Sequence, residues 1–280
     1  MGKYILKRIA LAIVTIWAVA TITFFLMNLV PGGPFLSEKA ISPAATKALE
    51  AKYGLDKPMA ERYFTYISDA AHGDFGDSLK QRGRTVMDII ATKFPVSARL
   101  GGMAVVLALC VGVPLGVLAA YKRGTFIDSL FSVIATCGIA VPGFVICTLL
   151  LYVFGVKLQW LPTLGLKSAQ SYIMPVVALA AYPTSYIMRL MRSSMLDVLG
   201  QDYMRTAKAK GVSQKVSLFK HALRNAILPV ITYVGPMLAY TLTGSFVTEK
   251  IFTIPGLGGE FIKAINGRDY TMIMGTTIFL

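Results

Sequence analysis

Two histidines and three cysteines are the only imidazoles and thiols that this 280-residue chain offers beside its carboxylates. His72 stands in "HGDFGD" with Asp74 and Asp77, an imidazole and two carboxylates close enough to suggest a metal. Without further His or Cys nearby, the same letters read better as a turn closed by Gly73 and Gly76. Cys110, Cys137 and Cys147 lie in apolar runs without a C-x-x-C pattern, and read as small buried hydrophobes. No G-x-x-x-x-G-K-[ST] occurs, so the chain has no P-loop for a nucleotide phosphate. The most ordered polar stretch is "DYMRTAKAKGVSQKVSLFKHALRNAILP" (202–229), with six Lys and Arg, one Asp, and a Gly between two short helical patterns. What it does depends on the elements that hold it.

Those elements are apolar. Hydrophobic residues make up 55% of the chain and the mean hydropathy is +0.62, beyond an ordinary soluble domain. Uncharged runs cover 9–30, 100–121, 129–156, 168–188 and 225–248, each long enough for the ~30 Å hydrocarbon core. A sixth run, 270–280, is about half a span, and a further segment is expected beyond Leu280. Lys3, Lys7 and Arg8 precede a first run too long for a signal peptide, so it reads as a retained helix with a cytoplasmic start. Alternation then places 121–128 and 189–224 inside, the latter with eight Lys/Arg against two Asp. Segment 31–99 holds ten Lys/Arg, but it also holds eight acids and is too long for the positive-inside rule. The net charge of +14 is therefore a topology signal and an attraction to anionic lipid, with no need for nucleic acid.

The outer segment has helical grammar. "SPAATKALEAKYG" offers Ser42 as N-cap, Pro43 as first helical residue and Gly54 as stop; a second helix ends at His72-Gly73. "TVMDIIATKFP" opens on Thr85, puts Val86, Ile89 and Ile90 on one face before Pro95, and reads as an interfacial helix. The chain thus divides into a first span (1–30), a helical cap (31–95) and a core (96–280) that carries a cytoplasmic loop at 189–226.

The five complete runs contain no Asp, Glu, Lys, Arg or His between their flanks, against ion-coupled transport or voltage sensing. Intramembrane hydrolysis lacks a base at depth, since His72 and His221 both fall in loops, and no enzyme activity is expected. Thr184, Ser185, Tyr233, Tyr240, Thr241 and Ser245 could line a wet path, or join helices by hydrogen bonds. A transporter with neither coupling carboxylates nor a P-loop takes its energy from another polypeptide, or is a passive pore.

In the basic segment Asp202 can cap a helix over 203–210 that ends at Gly211. A second helix follows Ser213, with Val212, Val216, Phe219 and Leu223 within one arc and Lys220 and Arg224 toward a flank. A solvated loop, or a basic helix on anionic lipid, would not require that order of helix, Gly and helix.

The segment resembles the cytoplasmic EAA-type loop of ABC importer permeases, whose pattern is Glu-Ala-Ala, three residues, Gly, and a later Ile-x-Leu-Pro. Arg205-Thr206-Ala207 precede Gly211 at that spacing, and "RTAKAKG" with "HALRNAILP" is the peptide-permease form of it. "KYILKRIALAIVTIWAVATITFFLMNLVPGGPF", "EAKYGLDKP", "HGDFGDS", "FPVSARLG" and "IPGLGGEFIKAINGRDY" resemble the B-type inner-membrane subunit of oligopeptide and dipeptide permeases across nearly the whole chain. The form of the cap resembles the oligopeptide members more than the dipeptide or nickel ones.

The resemblance implies an all-α polytopic membrane protein with the type I ABC importer fold. It has about six transmembrane helices and an extracytoplasmic helical insertion after the first. It implies a bacterial inner-membrane location, a heterodimer with a second permease subunit, two ATPases that bind the ATP and magnesium, and an external peptide-binding protein. No cofactor belongs to this chain itself. Arg205, Thr206, Ala207, Gly211, Val216, Phe219 and Leu223 would then make the ATPase contact. The alternatives are another solute of the same family, such as dipeptides or nickel, or a passive channel or scaffold whose basic loop holds lipid.

Overall fold

The computed structural model describes residues 2–35, 43–213, 216–243 and 246–280. Ser42, expected as an N-cap, and Ser245, expected on the path, lie outside them. Among the described residues the chain is helical, with one isolated antiparallel bridge, Asp77 to Thr85. The helices in order are α1 (Gly2–Leu29), α2 (Pro43–Lys52), α3 (Met59–Ala71), α4 (Val86–Tyr121), α5 (Phe126–Ala140), α6 (Gly143–Leu150), α7 (Ile173–Leu199) and α8 (Asp202–Ala209). Beyond α8 come Leu223–Ala226, Leu228–Thr243, Phe246–Ile251, Leu257–Gly267 and Tyr270–Phe279. Among the described residues four helical stretches are long and apolar enough to cross a membrane, and a bent pair makes a fifth if it counts as one span.

Local signals placed most helix ends. Gly54 (φ 62°) and Gly73 (φ 83°) follow α2 and α3 in the left-handed region that glycine enters without steric cost. Thr85 caps α4, its Oγ1 accepting from the Asp88 amide at 3.1 Å.

Two expectations fail for tertiary reasons. Pro95 does not end an interfacial helix, because α4 runs through it as one helix of 36 residues. Val86, Ile89 and Ile90 are accordingly buried in protein instead of lying on a membrane surface. The run 129–156 is not one straight helix either. Val141 (ψ 123°) and Pro142 (ψ 138°) leave the helical region, and the segments on either side are bent by 103°. Proline pushes its predecessor out of the α region, and here that preference prevails over the apolar run. The second arm winds into a π-helix over Leu151–Lys157.

The chain folds as two compact units, Met1–Pro95 with Gly259–Leu280, and Val96–Gly258. In the first, Ala20, Phe24, Tyr63 and Met274 form an apolar cluster, and Thr21 Oγ1 lies 2.7 Å from Tyr63 Oη. Asp269, only 2% exposed, accepts from Ser78 Oγ, from the Leu79 amide at 3.0 Å and from the Met272 amide at 3.2 Å. "HGDFGDS" and "INGRDY" therefore meet through one buried carboxylate. A second carboxylate, Glu260, bonds Lys263 Nζ (2.9 Å) and Gln81 Nε2 (3.1 Å), with Lys93 Nζ at 3.7 Å. Burial raises the Glu260 pKa, but Lys263, Lys93 and Gln81 outweigh it and leave the pKa below the ordinary value. A depressed carboxylate adds stability above its unfolded pKa, and that stability is lost as pH falls through the folded value.

In the second unit α7 is central. Met188, Met191 and Met195 on it are buried at 2% exposure or less. Gly112 and Gly116 of α4 and Gly138 of α5 let backbones approach it closely, as small residues do between membrane helices. A Cβ on Gly116 would stand 2.6 Å from the Met188 carbonyl oxygen and from Met191 Cβ. Gly116→Ala is expected to cost about 1–3 kcal/mol, read as a lower melting temperature of the detergent-purified protein. An unchanged melting temperature would contradict this close approach.

Candidate functional site

The basic segment is two short helices pinned to the second unit. In α8 the N-cap position is Gln201, without a side-chain bond, so Asp202 is not the cap but the first helical residue. Asp202 instead faces Arg205 Nη1 at 3.7 Å, and its carbonyl accepts from Thr206 Oγ1 at 3.1 Å. Both charges of that pair are largely exposed, and such a pair adds about 0–1 kcal/mol. Met204 faces the core, where it joins Met195, Leu218 and Ala222. The helix stops as its sequence indicates: Lys210 is the C-cap and Gly211 follows at φ 76°. The Gly211 amide donates to the Lys208 carbonyl (3.0 Å) and the Val212 amide to the Ala207 carbonyl (3.2 Å). These bonds close the helix end in the manner of a glycine C-cap.

The second helix differs from the expected one. From Ser217 to Ala222 it winds as a π-helix, so an arc laid out at α-helical spacing does not survive. Leu218, Ala222, Ala226 and Val230 are the residues that enter the core. Val216 and Phe219 are 44% and 60% exposed, while Val212 and Leu223 are half-buried. Arg205 and Thr206 are exposed and Ala207 is half-buried. Asn225 Nδ2 donates to Tyr203 Oη at 2.9 Å, tying the second helix back to the first. A cavity of about 560 Å3 opens beside them, lined by Leu199, Met204, Arg205, Lys208, Val212 and Leu218 among others. An apolar one of about 370 Å3 lies between Phe219 with Leu223 and Pro114 with Val117 of α4. The arrangement is a firmly mounted element whose Phe219 is left largely uncovered, and Val216 partly so, by the described residues.

A bidentate ion pair braces the same region. Arg192 of α7 places Nε at 2.6 Å and Nη2 at 2.8 Å from the two Asp128 oxygens, and the Gly124 amide adds a bond of 3.0 Å. No sequence pattern announces it, because Asp128 and Arg192 are 64 positions apart.

The expected path residues separate into two kinds. Ser185 is 6% exposed, packed on Gly138; Thr241 is 1% exposed, its Oγ1 donating to the Met237 carbonyl at 2.6 Å. Thr184 is half-buried, and its carbonyl oxygen lies against Gly112. Tyr233 and Tyr240, by contrast, join Tyr182 and Tyr186 in a chain of rings with centroids 6.3, 6.4 and 4.4 Å apart (182–186, 182–240 and 186–233). Tyr182 and Tyr240 are 42% and 64% exposed. The hydroxyls of Tyr182, Tyr186 and Tyr233 make no hydrogen bond among the described residues. A phenol at membrane depth needs water, a ligand or another subunit, because hydrocarbon satisfies no donor. Spacing alone could have revealed each pair, though not that the two pairs meet. Positions 182 and 186 are i, i+4, and 233 and 240 are i, i+7, each pair on one helix face.

This fold and this segment define an integral-membrane transport component. A profile described as binding-protein-dependent transport system inner membrane component matches residues 112–280, and its N-terminal companion matches 1–101. The chain belongs to that family. Among curated relatives, the dipeptide transport system permease protein DppB of Bacillus subtilis is 46% identical over all of this chain and 91% of its own length. The oligopeptide transport system permease protein OppB of Salmonella typhimurium is 43% identical over all of this chain and 92% of its own. The inward-facing MetNI methionine ABC transporter shares the fold, with a TM-score of 0.54 and 16% identity over 68% of this chain and 89% of that one.

Proposed function

We propose that this chain is a membrane-spanning permease subunit of an ATP-driven importer that moves peptides, oligopeptides included, into the cytoplasm. The observation that carries this reading is the mounted pair of short helices. Met204 and Leu218 hold them to the core, Gly211 sets the angle between them, and Phe219 stays 60% exposed with Val216 partly exposed beside it. Such an element suits docking to an ATPase subunit, and the chain's lack of a P-loop requires that partner. Two ATPases carrying ATP and magnesium, a second permease subunit and an external peptide-binding protein complete the assembly. Full-length identity to both a dipeptide and an oligopeptide permease supports peptide as the substrate class.

The path is lined by Tyr182, Tyr186, Tyr233 and Tyr240, whose rings and hydroxyls meet peptide backbones of varied side chain without a fixed charge. Ser185 and Thr241 serve helix packing instead. Transport proceeds by alternating access, the ATPases pushing on the short helices as they close.

The N-terminus is cytoplasmic in this reading, and the cap of residues 31–95 faces outward. A single cysteine at Lys47 or Lys80, in a background without Cys110, Cys137 and Cys147, is expected to react with a membrane-impermeant thiol reagent in wall-stripped intact cells. Labelling confined to inverted vesicles would reverse the topology and refute the inward coupling surface.

A further inference from the structure

The first compact unit contains a cavity of about 230 Å3 that the transport reading leaves unused. It is bounded by the C-terminal end of α1 (Phe24, Met27, Asn28), the turn after α2, the face of α3 and the helix Tyr270–Phe279. Its polar wall is built on α3. Arg62, Tyr66 and Asp69 occupy positions i, i+4 and i+7, which share a helix face. Tyr66 Oη is buried without a hydrogen-bond partner among the described residues. A buried hydroxyl without a partner is destabilising, and a ligand that bonds it recovers the loss.

Arg62 is half-buried, and no carboxylate pairs with it among the described residues. Burial lowers its pKa, and the nearby Tyr270 opposes the shift. Burial, then Asp74, raises the pKa of the Tyr66 hydroxyl, so it stays a donor. Lys57, also at the wall, is already bonded to Glu61 at 2.8 Å. Among the described residues, then, the Arg62 guanidinium and the carboxylate of Asp69, at the exposed rim, make no side-chain hydrogen bond or ion pair, and the Tyr66 hydroxyl is buried without a partner. The complement of such a set is a zwitterion.

The floor is apolar, made by Phe24, Met27, Leu79 and Met274. The helix that supplies its first two residues is the least buried of the membrane-length helices among the described residues. Only Ala20 and Phe24 of α1 are buried, and Leu26 and Leu29 at its C-terminal end are 58% and 74% exposed. An amphiphile can therefore reach the cavity along α1 from the bilayer.

We propose that this cavity seats the head of one zwitterionic phospholipid, its phosphate on Arg62 and Tyr66 and its ammonium on Asp69. The lipid bridges α1 and α3 and braces the unit. A primary ammonium donates hydrogen bonds to Asp69 where a choline cannot, so phosphatidylethanolamine is the preferred species.

The test uses the complete transporter, purified with its partner subunits, delipidated and titrated with dioleoyl-phosphatidylethanolamine. Bound lipid is counted by native mass spectrometry and the melting temperature is followed in parallel. One lipid is expected to remain on the wild type at concentrations where Arg62→Gln has lost it, a shift of at least tenfold in half-saturation. Tyr66→Phe is expected to weaken retention severalfold. It removes a single oxygen that bonds no described residue, so its melting temperature without lipid stays at or above the wild-type value. That variant carries the test if Arg62→Gln fails to fold. Equal retention by wild type and Tyr66→Phe, or by wild type and a folded Arg62→Gln, would overturn the proposal. So would inorganic phosphate raising the melting temperature as much as the lipid, or a tripeptide displacing the lipid. The first result would assign the cavity to free phosphate and the second to peptide.

Discussion

Gly211→Val leaves the protein folded in the membrane and abolishes ATP-driven peptide uptake. The glycine sits at φ 76°, where a β-branched residue is strained by about 1–2 kcal/mol or moves the chain out of that region. Among the described residues no atom stands within 4 Å of a Cβ built there, so the cost they set is one of backbone conformation. Relief of the strain swings the second helix relative to α8 and misplaces Phe219, while Met204 and Leu218 keep each helix attached to the core. The effect should therefore be graded by tolerance of the left-handed region: Asn mild, Ala intermediate, Val severe. The measurement is uptake per assembled complex, with membrane insertion checked by protease protection. Wild-type uptake by a well-inserted Gly211→Val complex would remove Gly211 from the coupling path.

Phe219→Ala has the second large effect, and it falls on assembly and not on the fold. The side chain is 60% exposed in the isolated chain, so its loss there should change stability by no more than about 0.5 kcal/mol. Buried in an ATPase cleft, the same truncation costs about 2–4 kcal/mol, which is about thirtyfold to a thousandfold in affinity. Leu218→Ala is the internal contrast. That residue is buried in the core, and its loss should destabilise the permease itself by about 2–5 kcal/mol. Lys220→Gln should be mild, since an exposed charge contributes about 0–1 kcal/mol. Retention of the ATPase on the purified permease is measured for each variant at two salt concentrations. Loss with Lys220→Gln and retention with Phe219→Ala would make the contact electrostatic and displace Phe219 from it.

The contrast between neighbouring residues 218 and 219 shows what was legible in the sequence. The short helix, its end at Gly211 and the second helix beyond it rest on local chemistry: a helix-favouring run, a left-handed glycine, a renewed apolar repeat. Such signals lie within a few residues of the feature they fix. The direction in which the second helix buries itself is not local. It depends on the π-winding over Ser217–Ala222 and on the Tyr203–Asn225 bond, neither of which an α-helical projection contains.

The same division runs through the rest of the chain. The stops at Gly54 and Gly73 were readable, whereas the passage of α4 through Pro95 and the burial of Val86, Ile89 and Ile90 rest on tertiary packing. The bend at Pro142 was signalled by the proline but hidden by the uninterrupted apolar run around it. Asp269 and Ser78 are 191 positions apart, and no pattern in either neighbourhood announces the other. Tyr182 and Tyr186 were within reach of helical spacing. Polar groups weighed one at a time do not reveal them; the pair taken together does.

The central claim is that this chain moves peptide only when an ATPase acts on its short helices. The direct measurement is accumulation of a labelled tripeptide in proteoliposomes containing the complete transporter, compared with proteoliposomes containing this chain and its companion permease subunit alone. Accumulation against a gradient that requires both ATP and the ATPase subunits is the predicted result. Peptide flux down its gradient through the permease subunits alone, unchanged when the ATPases and ATP are added, would contradict it and make the protein a passive channel.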